Sequence, residues 1–467
     1  MNILINVSNK LIQALKSDTR YITYKVLIYF DGEDNEPVDV TEDCTNIDIV
    51  DEVSESNADV PFGSLSCNSL DIELINFDRK YTVSNPNSIY YKKLIADVKV
   101  ELSFIIELLD GTTEEIVGGT YYTSDWQCST ENSFATVPCY DKLFKIASLP
   151  VKQFGVKKNI SVSDAYKAIF EAAGIDKKEY KILGDLYNTI PFLWVDGDLG
   201  TNLKNIALTT GTNVYVDKYN TIIIKSIIDN SNPVFSLTDN ELFVTKEASS
   251  YNSLYDSIEI KYSNSLGAED KELYNAKVQI DSGTSTLVGL ELSECPVYLI
   301  SSIIIKGGSN ISVVKYVLNY DTIDITIQNN GYPIEADIII QGKVITTTPK
   351  TIKQTSSEIV RNNCLSLELP LISTNAYVTN YANLLLELYK HYGSSLDLDL
   401  RAYPILEVND IVNIDSTFAK VSKTVCIQKI SASYGKESIS YSITASLLKE
   451  KKIKTAYFVS PSMLLIK

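Results

Sequence analysis

Histidine is almost absent: His391 is the only one in 467 residues. One imidazole excludes every multi-histidine metal site within a chain and leaves room for at most one histidine-based triad. The two tryptophans, Trp126 and Trp194, are too few to line a sugar cleft with indoles. No run approaches 18 apolar residues, so no transmembrane helix is expected. The start MNILINVSNKLIQ lacks a cationic segment and a long apolar one, so no secretion signal is expected. Positive charge is scarce: 42 Lys and Arg stand against 59 Asp and Glu, a net charge of −17. That balance argues against duplex nucleic acid or an anionic membrane surface as the main partner. The seven cysteines (44, 67, 128, 139, 295, 364 and 426) contain no C-x-x-C pair. An odd, scattered set reads as reduced thiols packed in cores of a chain made in a cytosol.

What the chain has is apolar alternation. Hydrophobic residues make up 45%, enough for several cores. Leu4, Val7, Leu11 and Leu15 share a helical face and predict a short leading helix. Period-two runs follow at 22–30, 47–53, 69–75, 98–108, 121–126 and 134–140, with Asp110-Gly111 as a hairpin turn. The period then changes. Ser161 and Asp164 form a capping-box-like start, and Gly174 and Gly211 supply stops for two helices. Residues 276–348 return to strands, Ser263–Asp270 read as a loop, and 375–392 read as the longest helix. Strand patterning resumes from 395 to 446. Residues 121–141 and 421–445 both read as strand, polar turn, strand, the trace that a twice-used β domain would leave. The expected fold is mainly β with α+β parts. Its divisions are 1–150, a β domain with a leading helix; 151–230, a small α+β module; 231–355, a β region read as an insertion; 356–450, a β domain with the long helix; and 451–467, a terminal arm.

Three segments carry a family resemblance. The first is Gly63–Lys145, with Asn76-Phe-Asp-Arg79, Asn85-Pro-Asn-Ser88, Leu109-Asp-Gly-Thr112, Gly118-Gly-Thr-Tyr-Tyr-Thr-Ser-Asp-Trp126 and Cys139-Tyr-Asp-Lys-Leu143 in that order. The second is Ala172-Ala-Gly-Ile175, then Gly200-Thr201, then Asn213-Val-Tyr-Val-Asp217. The third is Arg401-Ala-Tyr-Pro-Ile-Leu-Glu-Val-Asn-Asp-Ile-Val412, where Asn409 stands in place of the family's usual glycine and tolerates the same left-handed turn. Together they resemble the tail-tip and baseplate hub proteins of bacteriophages and phage-like particles.

The resemblance implies two tube-like antiparallel β-barrel domains and a homotrimer that closes the distal end of a tail tube. It implies a virion component made in the bacterial cytoplasm and assembled into the tail of a phage or a bacteriocin. The implied partners are the tail tube or distal tail protein, baseplate wedge or fibre proteins, and the tape-measure protein or tail spike. It implies no enzyme, no catalytic residue, no cofactor, no metal, no sequence-specific nucleic-acid binding and no membrane anchor. In Asp397-Leu-Asp399-Leu-Arg401 the carboxylates fall on one strand face and the leucines on the other. Asp397 and Asp399 are therefore candidate channel-facing acids, weighed against an ordinary solvated sheet face. Two other functions remain open at this point. One is a distal adaptor or receptor-binding scaffold joining hub to fibres, which the unmatched 276–348 favours. The other is a cell-wall glycan hydrolase using two of the many carboxylates. Asp196–Asn202 has carboxylates at calcium-loop spacing but lacks the bidentate glutamate, since Ala207 stands there. His391 reads as a helix-end cation.

Overall fold

Leu70, Ile72 and Leu74 alternate with Asp71 and Glu73, and such a run can bury one face only as a strand. A computed structural model describes residues 7–447 apart from 54–59, 61, 129–132, 185, 187–188, 196, 227–231, 250–254, 320, 357–362, 393, 419–420 and 437. The chain is mostly β, in several sheets whose strands pair mainly antiparallel. In the largest sheet Leu242–Ser249, Ser394–Leu400, Ile439–Leu447, Val421–Gly435, Cys44–Glu52, Ser69–Ile75, Phe134–Tyr140, Thr113–Thr123, Lys99–Glu107 and Ile22–Ile28 follow one another, every neighbour antiparallel. The N-terminal and C-terminal β regions thus share one sheet, joined where Lys429–Gly435 pair with Glu52–Asn46. They also share one core, which holds Ile47, Leu70, Ile72 and Phe104 together with Leu396, Leu398, Ile430 and Ile443. The expected closed barrels are not found among the described residues. The strand path is open, because each half spends an edge on joining the other.

The two halves repeat one connectivity. Cys44–Glu52, Ser69–Ile75, Lys99–Glu107, Thr113–Thr123 and Phe134–Tyr140 match Leu242–Ser249, Ser394–Leu400, Ile411–Ser416, Val421–Gly435 and Ile439–Leu447, in the same chain order and the same sheet order. Irregularities match as well. The pairing slips between Cys44 and Asn46, and again between Leu242 and Val244. Asp97 (φ 64°) and Asn409 (φ 68°) take the left-handed conformation at equivalent places. Each donates its N–H to the same site: Asp97 to Thr123 O at 2.8 Å, Asn409 to Ile427 O at 2.7 Å. The leading strands differ: Ile22–Ile28 runs antiparallel to Lys99–Glu107, whereas Phe235–Thr238 runs parallel to Ile411–Ser416.

The leading helix is shorter than its periodicity predicts, Asn9–Lys16, because Ser8 caps it; residues 1–6 lie outside the described ones. Between the repeats lies a compact α+β unit. Ser161 Oγ accepts from Asp164 N at 3.0 Å and donates to Asp164 Oδ2 at 2.7 Å, starting the helix Val162–Ala172. Gly211, at φ 66°, ends the helix Leu199–Thr210. Within the second repeat, residues 250–393 intervene between Leu242–Ser249 and Ser394–Leu400. Here Ser257–Ile280 and Ile334–Thr355 form one long antiparallel ladder. Ser263–Asp270, read above as a loop, lies inside that ladder: Gly267 at φ 132° follows a slip in register that absorbs its unusual backbone. Phe235–Thr238 and Leu242–Ser249, grouped above with 231–355, pair with the C-terminal strands. The helix Asn375–Tyr392, grouped above with the C-terminal β domain, buries Val378, Tyr381 and Leu385 against Ile258, Ile260 and Leu367 at one end of the ladder. Among the described residues no helix is long and apolar enough to cross a membrane, which says nothing of strands. The terminal arm lies outside the described residues.

Candidate functional site

The repeat brings the acids of two strands onto one polar face. In Ser394–Leu400, Leu396, Leu398 and Leu400 point into the core, and Asp397 and Asp399 point out and are exposed. Their equivalents are Asp71 and Glu73, placed by the sequence Ser69-Leu-Asp-Ile-Glu-Leu74 just as Ser395-Leu-Asp-Leu-Asp-Leu400 places the first pair. Sequence reading missed this second pair, although the near-identity of the two hexapeptides was the available signal. The surroundings differ. Asp71 stands opposite Asp48 across the strands, and burial together with the Asp48 charge raises its pKa above the ordinary carboxylate value. Asp48 Oδ2 accepts from Asn46 Nδ2 at 2.9 Å. Asp397 stands opposite Lys246 on one side and accepts from Thr444 Oγ1 at 2.8 Å on the other. Ser431, Ser433, Ser442 and Thr444 fill the strands between, and Lys429 pairs with Glu52 at 3.3 Å across the joint. The face is thus hydroxylated and acidic over both repeats.

A second polar assembly lies under the joint, where the N-terminal half, the α+β unit and the segment 404–410 meet. Asp51, Asn68, Tyr121, Asp141, Lys218 and Glu407 border a cavity of about 20 Å³, room for about one water molecule. Asp141 caps the short helix Lys142–Ile146, its carboxylate accepting from Leu143 N and Asn68 N, both at 2.9 Å. Asn68 Nδ2 donates to Val216 O at 3.0 Å, tying the α+β unit to the sheet. The stem of Lys218 is half-buried and its ammonium reaches inward, donating to the carbonyls of Pro404 at 2.5 Å and Leu406 at 2.8 Å. Asp410 Oδ2 accepts from Glu407 N at 3.0 Å. Burial pushes Asp51 up to about 6 and Asp141, Glu407 and Asp410 up to about 7, and it lowers the Lys218 pKa. Among the described residues Asp51 Oδ1 has no hydrogen-bond partner. Ligand pockets run to hundreds of Å³, so this assembly acts as a polar clamp between parts of the chain. Asp141, Glu407 and Asp410 fall within the sequence motifs quoted above, but nothing local says that they meet, because they are far apart in the chain.

Other sequence candidates go elsewhere. Asp198 caps Leu199–Thr210, accepting from Thr201 N at 2.8 Å, and Asp196 lies outside the described residues. His391 falls within the helix Asn375–Tyr392, with its side chain outside the described ones. Among the described residues no group of three or more His, Cys, Asp or Glu side chains is arranged to hold a metal ion. Cys44, Cys139 and Cys426 are buried as expected of core thiols, whereas Cys128, Cys295 and Cys364 are exposed.

No protein-family model and no curated protein sequence matches the chain. Solved structures do. The 43 kDa tail protein of prophage MuSo2 from Shewanella oneidensis superposes with a TM-score of 0.50 at 12% identity, over 91% of this chain and 98% of that one. The tail protein from Neisseria meningitidis MC58 gives 0.51 at 10% identity, over 91% and 97%. With the shared sheet, the repeated connectivity and these near full-length superpositions together, the chain has the fold of bacteriophage tail proteins.

Proposed function

We propose that the protein is a structural, non-enzymatic hub of a phage or phage-like tail, assembled as a trimer that closes the distal end of the tail tube. The observation that carries this reading is the repeat: three chains with two repeats each supply six similar units, the number needed to match a six-fold tube. In this reading each half is one tube-like unit, and the polar face with Asp71, Glu73, Asp397 and Asp399 lines the channel. Carboxylates there repel nucleic-acid phosphate and leave a passing strand without a place to adhere. The partners are the tube or distal tail protein above and baseplate, fibre, tape-measure or spike proteins around and below. The test is the native mass of the purified chain, imaged as single particles. Three times the 52.0 kDa chain mass, seen as a ring with a central channel, is the expected result. A compact monomer without a channel at high concentration counts against it.

A second reading, an adaptor that joins hub to fibres, draws on the part of the insertion beyond the ladder, where Gly283–Glu291, Thr322–Asn329 and Ile311–Leu318 form a separate antiparallel sheet. Val314, Tyr316 and Val317 on Ile311–Leu318 are exposed, and Tyr332 nearby is 92% exposed. Contiguous exposed apolar surface marks contact sites. Deleting residues 281–333 and retaining the trimer separates the two readings: loss of fibre attachment alone assigns this sheet to the adaptor role.

A further inference from the structure

The joint inside the chain has an unfilled counterpart at each end of the repeat. Val421–Gly435 uses its outer edge beyond Ile427 to pair with Cys44–Glu52, the first strand of the other repeat. In the N-terminal repeat the same edge is Asp125–Cys128. The equivalence is fixed by the inner neighbour: Gln127 pairs with Thr136 and Cys128 with Ala135, as Ser431 pairs with Ser442 and Ala432 with Tyr441. An extra residue bulges at the same place in both, between Ile427 and Lys429 and between Thr123 and Gln127. Among the described residues Gln127–Cys128 pairs only with Phe134–Tyr140. At the opposite end, among the described residues, Leu242–Ser249, the equivalent of Cys44–Glu52, pairs only with Ser394–Leu400.

We propose that Glu247–Ser249 of one copy pair antiparallel with Trp126–Cys128 of the next, in the register of the internal joint. This rests on the trimer reading and names its contact. The direction is right: with Gln127–Cys128 placed beside Phe134–Tyr140, the two edges are the first and eighth strands of an all-antiparallel series, seven steps apart, so they run oppositely and continue the alternation when copies meet head to tail. Exposure agrees. Ala432 is buried within the internal joint, but its counterpart Cys128 is exposed. An unpaired strand edge is a template for pairing, and a head-to-tail contact of this kind makes rings when its rotation closes.

The register is specific. Ala432 faces Ile49 and Ser431 faces Val50 in the internal joint. Transferred between copies, Cys128 faces Glu247 and Gln127 faces Ala248. Directly opposed antiparallel residues lie within disulfide reach. The test is Glu247→Cys in the full chain, which pairs a new thiol with the native Cys128. It is treated with diamide, which takes up the two hydrogens as the S–S bond forms. Native mass is measured on the same sample, beside the parent chain and Glu247→Cys/Cys128→Ser. The expected result is a covalent oligomer on a non-reducing denaturing gel that both controls lack. A second pair, Gln127→Cys with Ala248→Cys on a Cys128→Ser background, tests the opposite face in case the first variant folds poorly. An oligomer by native mass whose chains separate on the gel for both pairs overturns the joint and leaves the trimer standing. A native mass of one chain overturns the trimer reading and the joint with it.

Discussion

Ser69–Ile75 and Ser394–Leu400 have the same backbone pairing, the same slip in the neighbouring strand and the same alternation of apolar and acidic residues, but their acids meet different company. Asp71 faces Asp48; Asp397 faces Lys246 and holds Thr444. The buried sides differ little, Leu70 and Ile72 against Leu396 and Leu398. Each such side chain contributes roughly 1.5–3 kcal/mol by burial, whereas a cross-strand pair on the exposed face changes stability by about 0.2–1 kcal/mol. Apolar packing and the bulge therefore hold the two repeats to one design, while the exposed charges are free to differ without loss of fold.

The joint between the repeats offers the largest test. Lys218→Ala removes the cation that faces Asp51 and Glu407, and a loss of about 3–5 kcal/mol in denaturant unfolding is expected. An unchanged midpoint would mean that the clamp does not hold the halves together. Next comes pH. Asp51, Asp141, Glu407 and Asp410 have folded pKa values above their unfolded ones, so the folded chain holds their protons more tightly. Their contribution is complete below the unfolded values and declines as pH rises through about 6 to 7. Stability should fall between about pH 5 and pH 8, each of these groups contributing up to about 1.4 kcal/mol per pH unit below its folded value. Asp141→Asn, which retains a capping side chain, should flatten that slope in thermal unfolding.

Equivalence of the repeats is tested by Asp97→Val and Asn409→Val. Both residues are left-handed, and both variants should lose about 1–2 kcal/mol. A large effect at one site and none at the other would break the equivalence. The smallest effect separates the two acids. Asp71→Asn should raise the thermal midpoint slightly, worth about 0.5 kcal/mol, by relieving the Asp48 repulsion, and Asp397→Asn should lower it by a similar amount. Equal signs would mean that the two faces are electrostatically alike after all.

Much of this was legible in the chain. Alternation marked the strands of both halves, Ser161 and Gly211 marked helix ends, and the strand-turn-strand echo of 121–141 and 421–445 falls on equivalent strands of the two repeats. The outward direction of Asp397 and Asp399 followed from period two. Ser263–Asp270 was not legible as strand, because a glycine in a polar run signals a turn unless a partner strand holds it, and Ile334–Thr355 does. The long helix followed from its apolar face, but that face could not say which sheet would cover it.

The sequence by itself determined which residues turn inward: period two and period 3.6 are local properties, written in consecutive side chains. Only the tertiary structure decided that two β regions separated by some hundreds of residues share one sheet and one core. It alone gathered Asp51, Asp141, Lys218, Glu407 and Asp410 beneath their joint. Strand order and the meeting of distant charges depend on which edges and faces find each other across long loops, and no local periodicity encodes that choice.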